Sequence, residues 1–130
     1  MGSAMVTDDR RKLLAQARRI VVKVGSSTLA RDGKLRSRKF SDLARQISGL
    51  MDDGREVVLV SSGAIAIGAA RLNWDKPRHT IPEMQAAAAV GQIGLVDLYQ
   101  RCFARHNRMV AQVLLTRMGL EDRERFLNAR

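Results

Sequence analysis

Two short stretches concentrate the residues able to hold an anion. The first is Lys23-Val24-Gly25-Ser26-Ser27, which closes the β-branched run Arg19-Ile20-Val21-Val22. A lysine buried at the end of such a run loses hydration that only a facing anion can replace. Gly25 supplies pliable backbone, and Ser26 and Ser27 supply hydroxyl donors. In an open α/β sheet, ligands bind beyond the carboxyl ends of the strands. A phosphate there would meet the ammonium charge and several backbone N–H groups. The same residues also suit a lysine that lays its stem along an edge strand and leaves its charge in water. The second stretch is Ser61-Ser62-Gly63-Ala64, which closes Val57 to Val60. Gly63 permits a tight turn into a helix whose first amides would face the same edge of the sheet. A carboxylate or phosphate would be held there by those amides and the Ser62 hydroxyl, or Ser62 would simply cap the helix.

Other chemistries lack their signatures. The sequence has no G-x-x-x-x-G-K-[ST] phosphate loop and no G-x-G-x-x-G dinucleotide fingerprint. His79 and His106 have no partner at metal-ligand spacing and read as surface or loop residues. Cys102 lies on an apolar stripe and reads as core, as does Met84.

The elements that must position these stretches alternate in type. Asp8 to Ala17 suits a short leading helix, and Arg19 to Val24 a buried parallel strand. Gly25 to Thr28 ends that strand, with a polar turn through Asp32-Gly33. Ser37 is a helix N-cap ahead of Phe40, Leu43, Ala44, Ile47, Leu50 and Met51, which recur at helical spacing. Gly54 stops that helix. Val57 to Val60 is a second strand, and Ala64 to Leu72 a helix that follows directly on the turn. After a loop with Pro77 and His79, Thr80-Ile81-Pro82-Glu83 matches a capping box. The long helix after it puts Met84, Ala88, Gly91, Leu95, Leu98 and Cys102 on one stripe. Gly91 and Gly94 each weaken an isolated helix by roughly 1 kcal/mol, so another backbone is expected to pack closely there. Met109 to Leu115 reads as a third strand and Glu121 to Arg130 as a further helix. This alternation predicts an α/β fold, a mostly parallel sheet with helices on both faces joined by right-handed crossovers.

Bulk properties narrow the class. One domain accommodates 130 residues, of which 45% are hydrophobic, enough for a packed core. The single cysteine excludes an internal disulfide and fits a reducing, cytoplasmic setting. No apolar run approaches the roughly 18 residues of a membrane helix. The net charge of +10 is spread along the chain, and aromatic residues make up only 4%, so no stacking platform for bases is built. Nucleic acid is therefore an unfavoured partner, and a solvated basic surface the plainer account.

Taken together, Ile20 to Thr28, Val60 to Ile65, Gln85 to Gln92, Ala111 to Thr116 and Asp122 to Arg130 resemble the glutamate 5-kinases of the amino-acid kinase family. The match runs in order over Arg19 to Arg130. The resemblance implies a three-layer α/β sandwich, here truncated, with residues 6–130 as the N-terminal portion of the kinase domain and residues 1–5 as a vector remnant. It implies ATP-dependent phosphorylation of the glutamate side-chain carboxylate, with Mg²⁺, in proline biosynthesis. Lys23 matches the family's catalytic lysine on the nucleotide phosphates, and Gly25 and Ser26 match its phosphate loop. Ser62, Gly63 and Ala64 match its glutamate-binding turn. L-glutamate and ATP are the expected small-molecule partners, a homo-oligomer the expected assembly, and no membrane is involved. The family's remaining acidic, asparagine and second lysine residues lie beyond the position matching Arg130, so the chain is expected to be inactive alone and to self-associate through an uncovered apolar edge. Two other classes stay open. One is a non-catalytic assembly or regulatory module using the glycine-containing helix. The other is a basic nucleic-acid binder with steep salt dependence.

Overall fold

The computed structural model describes residues 11–31, 34–74 and 80–114. Residues 11–16 form a short exposed helix, α1. Strand β1 covers Arg19–Val24, and β4 covers Glu56–Ser61. Between them lie the one-turn helix α2 (Ser26–Leu29), the two-residue strands β2 (Ala30–Arg31) and β3 (Lys34–Leu35), and α3 (Ser37–Asp52). Helix α4 (Ala64–Arg71) and the long α5 (Ile81–Ala104) follow. Strands β1 and β4 pair in parallel, Arg19 opposite Glu56 through Val24 opposite Ser61. Strands β2 and β3 form a separate antiparallel pair. The α/β class and the parallel pairing are therefore as the sequence predicts.

Helix α3 forms because its apolar residues return every three to four positions: Phe40, Ala44, Ile47 and Ser48 are buried on one face. Ser37 is the first helical residue and Arg36 occupies the cap, so the predicted cap is one residue late. The C-terminus closes as the sequence requires. Gly54 adopts φ +80°, its N–H bonds the Met51 carbonyl at 3.0 Å, and the Arg55 N–H bonds the Leu50 carbonyl at 3.1 Å. This is a Schellman closure, which needs a residue without Cβ strain at the left-handed position. The Arg55 guanidinium then reaches the Leu14 and Ala15 carbonyls at the end of α1.

Helices α4 and α5 touch backbone to backbone. A Cβ placed on Gly68 would stand 1.7 Å from the Ala87 carbonyl oxygen, and one on Gly91 1.8 Å from the Ala64 oxygen. The close approach expected at Gly91 is thus present, with Gly68 as its counterpart on α4. Gly94 lies against the Arg71 guanidinium instead. The rest of the core is formed by Val24, Leu29, Phe40, Ala44, Ile47, Ile67, Leu95, Tyr99, Cys102 and Phe103. Complete burial of Phe40, Leu29 and Ile67 contributes roughly 1.5–3 kcal/mol each.

Several local expectations are corrected. The buried stripe of α5 is Ala87, Gly91, Gly94, Leu95, Tyr99, Cys102 and Phe103, so Met84, Ala88 and Leu98 are only half-buried. Ser26 to Leu29 is helical rather than loop. Thr80 caps α5 by position, but its hydroxyl bonds the Glu83 carboxylate rather than backbone. Residues 109–114 form no strand. After Asn107 turns the chain at φ 54°, Arg108 bonds Asp52 and Val110 packs on the core, and among the described residues no strand pairs with this segment to satisfy its N–H and C=O groups. Leu115, the loop through His79 and the helix from Glu121 lie outside the described residues. Among the described residues, the core covers the sheet face bearing Val22, Val24, Val57 and Leu59, while Val21, Val58 and Val60 on the other face are exposed.

Candidate anion site at the sheet edge

The parallel register ends β1 and β4 at the same level, so their following turns emerge side by side. The Ser62 N–H extends the pairing by one bond, to the Val24 carbonyl at 3.1 Å. Adjacent strands run about 4.8 Å apart, which sets the spacing of Gly25 and Ser62. Gly63 takes φ +117° and ψ 0°, a conformation that a side chain would strain, and a Cβ there would lie 3.9 Å from Leu29 Cδ1. The two anion-friendly turns of the sequence therefore meet at one edge.

Each predicted residue has a definite place there. Ser26 and Ser62 are exposed, Gly25 and Ala64 half-buried and Gly63 buried. Gly25 caps α2 in an extended conformation, and the Thr28 N–H bonds its carbonyl at 3.1 Å. On α4, the Ile67 N–H is the first to bond back, to the Gly63 carbonyl at 3.0 Å. The amides before it take no side-chain cap, so Ser62 does not cap this helix. Those amides and the Ser62 hydroxyl can act together on a small anion.

Of the two readings open for Lys23, the structure matches the one that leaves its charge in water. Lys23 is exposed on the open face of β1, opposite Val60, in the row that also holds Arg19 and Val21. The period of two that points Val22 and Val24 into the core points Lys23 away from it. Burial therefore does not force an anion upon this lysine. Its ammonium, on a four-carbon stem one residue short of the edge, remains free to lean over the turns.

One residue at this edge was not singled out from the sequence. The Tyr99 hydroxyl lies 2.8 Å from Ser61 Oγ, and Ser61 Oγ lies 3.3 Å from the Ser62 carbonyl oxygen. Tyr99 is 8% exposed and its ring packs on Phe40 and Phe103 at centroid distances of 5.0 and 6.3 Å. Burial pushes its phenol above the ordinary value, partly opposed by the hydrogen bond with Ser61. The available signal was its place as the chain's single tyrosine, four residues after Leu95 on the same helix.

Among the described residues, no group of three histidine, cysteine or acidic side chains could hold a metal ion. His106 is exposed, and Cys102 is buried 3.7 Å from Ser41 Oγ. A concavity of about 360 Å³ on the outer side of α5, lined by Gln92, Ile93 and Gln112 among others, includes none of the edge residues. No described helix is long and apolar enough to cross a membrane.

The chain is 57% identical over 119 residues to the glutamate 5-kinase of Ralstonia pickettii, covering 91% of this chain and 32% of that protein. It is 52% identical over 121 residues to the glutamate 5-kinase of an Azoarcus species, covering 92% and 33%. It is 55% identical over 119 residues to that of Nitrosospira multiformis, covering 91% and 32%. The chain thus spans about a third of the length of the curated relatives it matches. The sequence profile of the amino acid kinase family matches residues 18–130. The chain belongs to the amino acid kinase family.

Proposed function

We propose that this chain carries the acceptor and phosphate side of a glutamate 5-kinase, which moves the ATP γ-phosphoryl group onto the glutamate side-chain carboxylate. The observation that carries this reading is the bond from the Ser62 N–H to the Val24 carbonyl, which holds the two anion-friendly turns together at one sheet edge. Two anions must be brought into line for this reaction, and the edge offers a turn for each.

The reaction asks little of acid–base chemistry. A carboxylate with an ordinary value near 4.3 is already ionised at neutral pH, so no general base is needed. Its oxygen attacks the γ-phosphorus, the bond to the bridging oxygen breaks, and ADP leaves with the electron pair. The products are ADP and glutamyl 5-phosphate, a precursor for proline synthesis in the cytoplasm. Lys23 would neutralise charge on the transferring group, with the Gly25 and Ser26 turn along the phosphates. Ser62, Gly63 and Ala64 would hold the glutamate by its carboxylate. Mg²⁺ bound with ATP would supply further neutralisation of charge on the transferring group.

The test is ATP- and glutamate-dependent ADP release by the 130-residue chain, alone and complemented with the remaining two-thirds of a relative's sequence. The chain alone should be silent and the complemented enzyme active. Lys23→Ala should then lower kcat by about 10²–10³-fold, the usual loss for one charge-stabilising group. Full activity of the Lys23→Ala enzyme would refute the role given to this residue.

A further inference from the structure

We propose that Tyr99 is a positioning residue for the glutamate turn, acting through Ser61 on the peptide between Ser62 and Gly63. The inference rests on the reading of that turn as the carboxylate-binding element. Its basis is a count of hydrogens. Ser61 Oγ has two neighbours, the Tyr99 oxygen at 2.8 Å and the Ser62 carbonyl oxygen at 3.3 Å, and only one proton to give. A carbonyl can only accept, so Ser61 must donate to it. The remaining contact is then satisfied with Tyr99 donating to Ser61. The chain of donors runs Tyr99 O–H to Ser61 O–H to the Ser62 carbonyl.

This order has a geometric consequence. The peptide bonds are trans, so the Gly63 N–H points opposite to the Ser62 carbonyl. Holding that carbonyl on the Ser61 side turns the Gly63 N–H to the opposite side of the same peptide plane. The amides of the first turn of α4, which precede the helical ladder, follow directly in the chain. Gly63 itself, at φ +117°, has no Cβ to stop the plane from flipping. Tyr99 is suited to hold it, since Phe40 and Phe103 flank its ring and α5 fixes its backbone. A phenol kept protonated by burial remains a donor throughout the neutral range.

The experiment follows the Gly63 and Ala64 amides of the full 130-residue chain by ¹⁵N NMR, with L-glutamate as the probe. In the unsubstituted chain Gly63 should give one sharp resonance that moves as glutamate is added. Tyr99→Phe keeps the ring and removes the donor. It should broaden or double the Gly63 resonance, leave the Leu29 and Ile67 methyl shifts in place, and weaken glutamate binding roughly three- to tenfold, the factor for one neutral hydrogen bond. Ser61→Ala should reproduce this, and the double variant should be no worse than either single one. A Gly63 resonance unchanged in both Tyr99→Phe and Ser61→Ala overturns the proposal. A Gly63 resonance that broadens in these variants, with no glutamate response in any form, upholds the relay and overturns the carboxylate reading beneath it.

Discussion

Replacing Gly91 by alanine should destabilise this chain although it removes a helix-weakening glycine. The added Cβ would stand 1.8 Å from the Ala64 oxygen, 2.5 Å from the Gly68 nitrogen and 2.8 Å from the Ala64 carbonyl carbon. All three are backbone atoms of α4, so no side chain can swing aside. The two helices must part by roughly 1.7 Å before the contact reaches the ordinary ~3.5 Å. Overpacking costs about 1–3 kcal/mol, and rigid backbone on both sides puts this site at the upper end. Against that stands about 1 kcal/mol of improved helix propensity. The net is about 2 kcal/mol of destabilisation, or roughly 6–10 °C in Tm for a chain of this size. The nearest atoms that Gly94→Ala meets are those of the Arg71 guanidinium, at 2.7 Å, and it should come out near neutral because that side chain is exposed and can move. Gly49→Ala, in α3 with nothing within 4 Å, should stabilise by about 0.5–1 kcal/mol. Thermal unfolding followed by circular dichroism ranks the three. A Gly91→Ala chain as stable as the parent, or shifted in the same direction as Gly49→Ala, would refute the reasoning.

Two further expectations concern the open sheet face. Arg19 Nε meets the Glu56 carboxylate at 2.7 Å, and its hydrogen bond and charge hold that carboxyl below its ordinary value. A depressed folded value means that the pair's contribution is present above the ordinary carboxylate range and is lost as pH falls through the folded value. In a ¹³C titration Glu56 should therefore titrate low, Arg19→Ala should return it upward, and added salt should narrow the difference. A Glu56 midpoint unmoved by Arg19→Ala would count against the pair. On the same face Val21, Val58 and Val60 are 63%, 51% and 48% exposed. Val58→Lys should leave Tm nearly unchanged and reduce concentration-dependent association in sedimentation velocity. Association undiminished by that charge would place the contact elsewhere.

Much of this arrangement was legible because single residues determine it. Gly54 and Gly63 occupy left-handed positions that few other residues accept, so the helix stop and the tight turn could be read directly. The β-branched run from Ile20 marked β1, and Gly91 announced a close backbone neighbour. Other features depend on orientation, which an apolar run conceals. Ile20 to Val24 reads as buried throughout, yet its alternation in a sheet covered on one face sends Lys23 outward. Ala86 to Ala89 is apolar on every side of α5, so the covered side turned on Ala87 and Tyr99 rather than on Met84 and Ala88. The segment from Met109 has strand-like composition, but composition cannot supply the neighbour that a strand requires. Tyr99 escaped notice because its partner lies 38 residues away in the chain.

The glycine-containing motif of α5 takes on a positional meaning from these contacts. The turn at Ser62 to Ala64 is held from below by the sheet, through the bond to Val24. From the side it is held twice by α5. Gly91 lets the first turn of α4 press on the helix at the Ala64 carbonyl, and Tyr99, eight residues further on, reaches Ser61 on the other flank. Two turns of helix separate these supports, so a rigid α5 fixes both flanks at once. A larger residue at Gly91 would then move Ala64 while Tyr99 still held Ser61, shearing the turn as well as loosening the core. The small residues of the run from Gln85 to Gln92 therefore set the distance at which α5 can hold the turn.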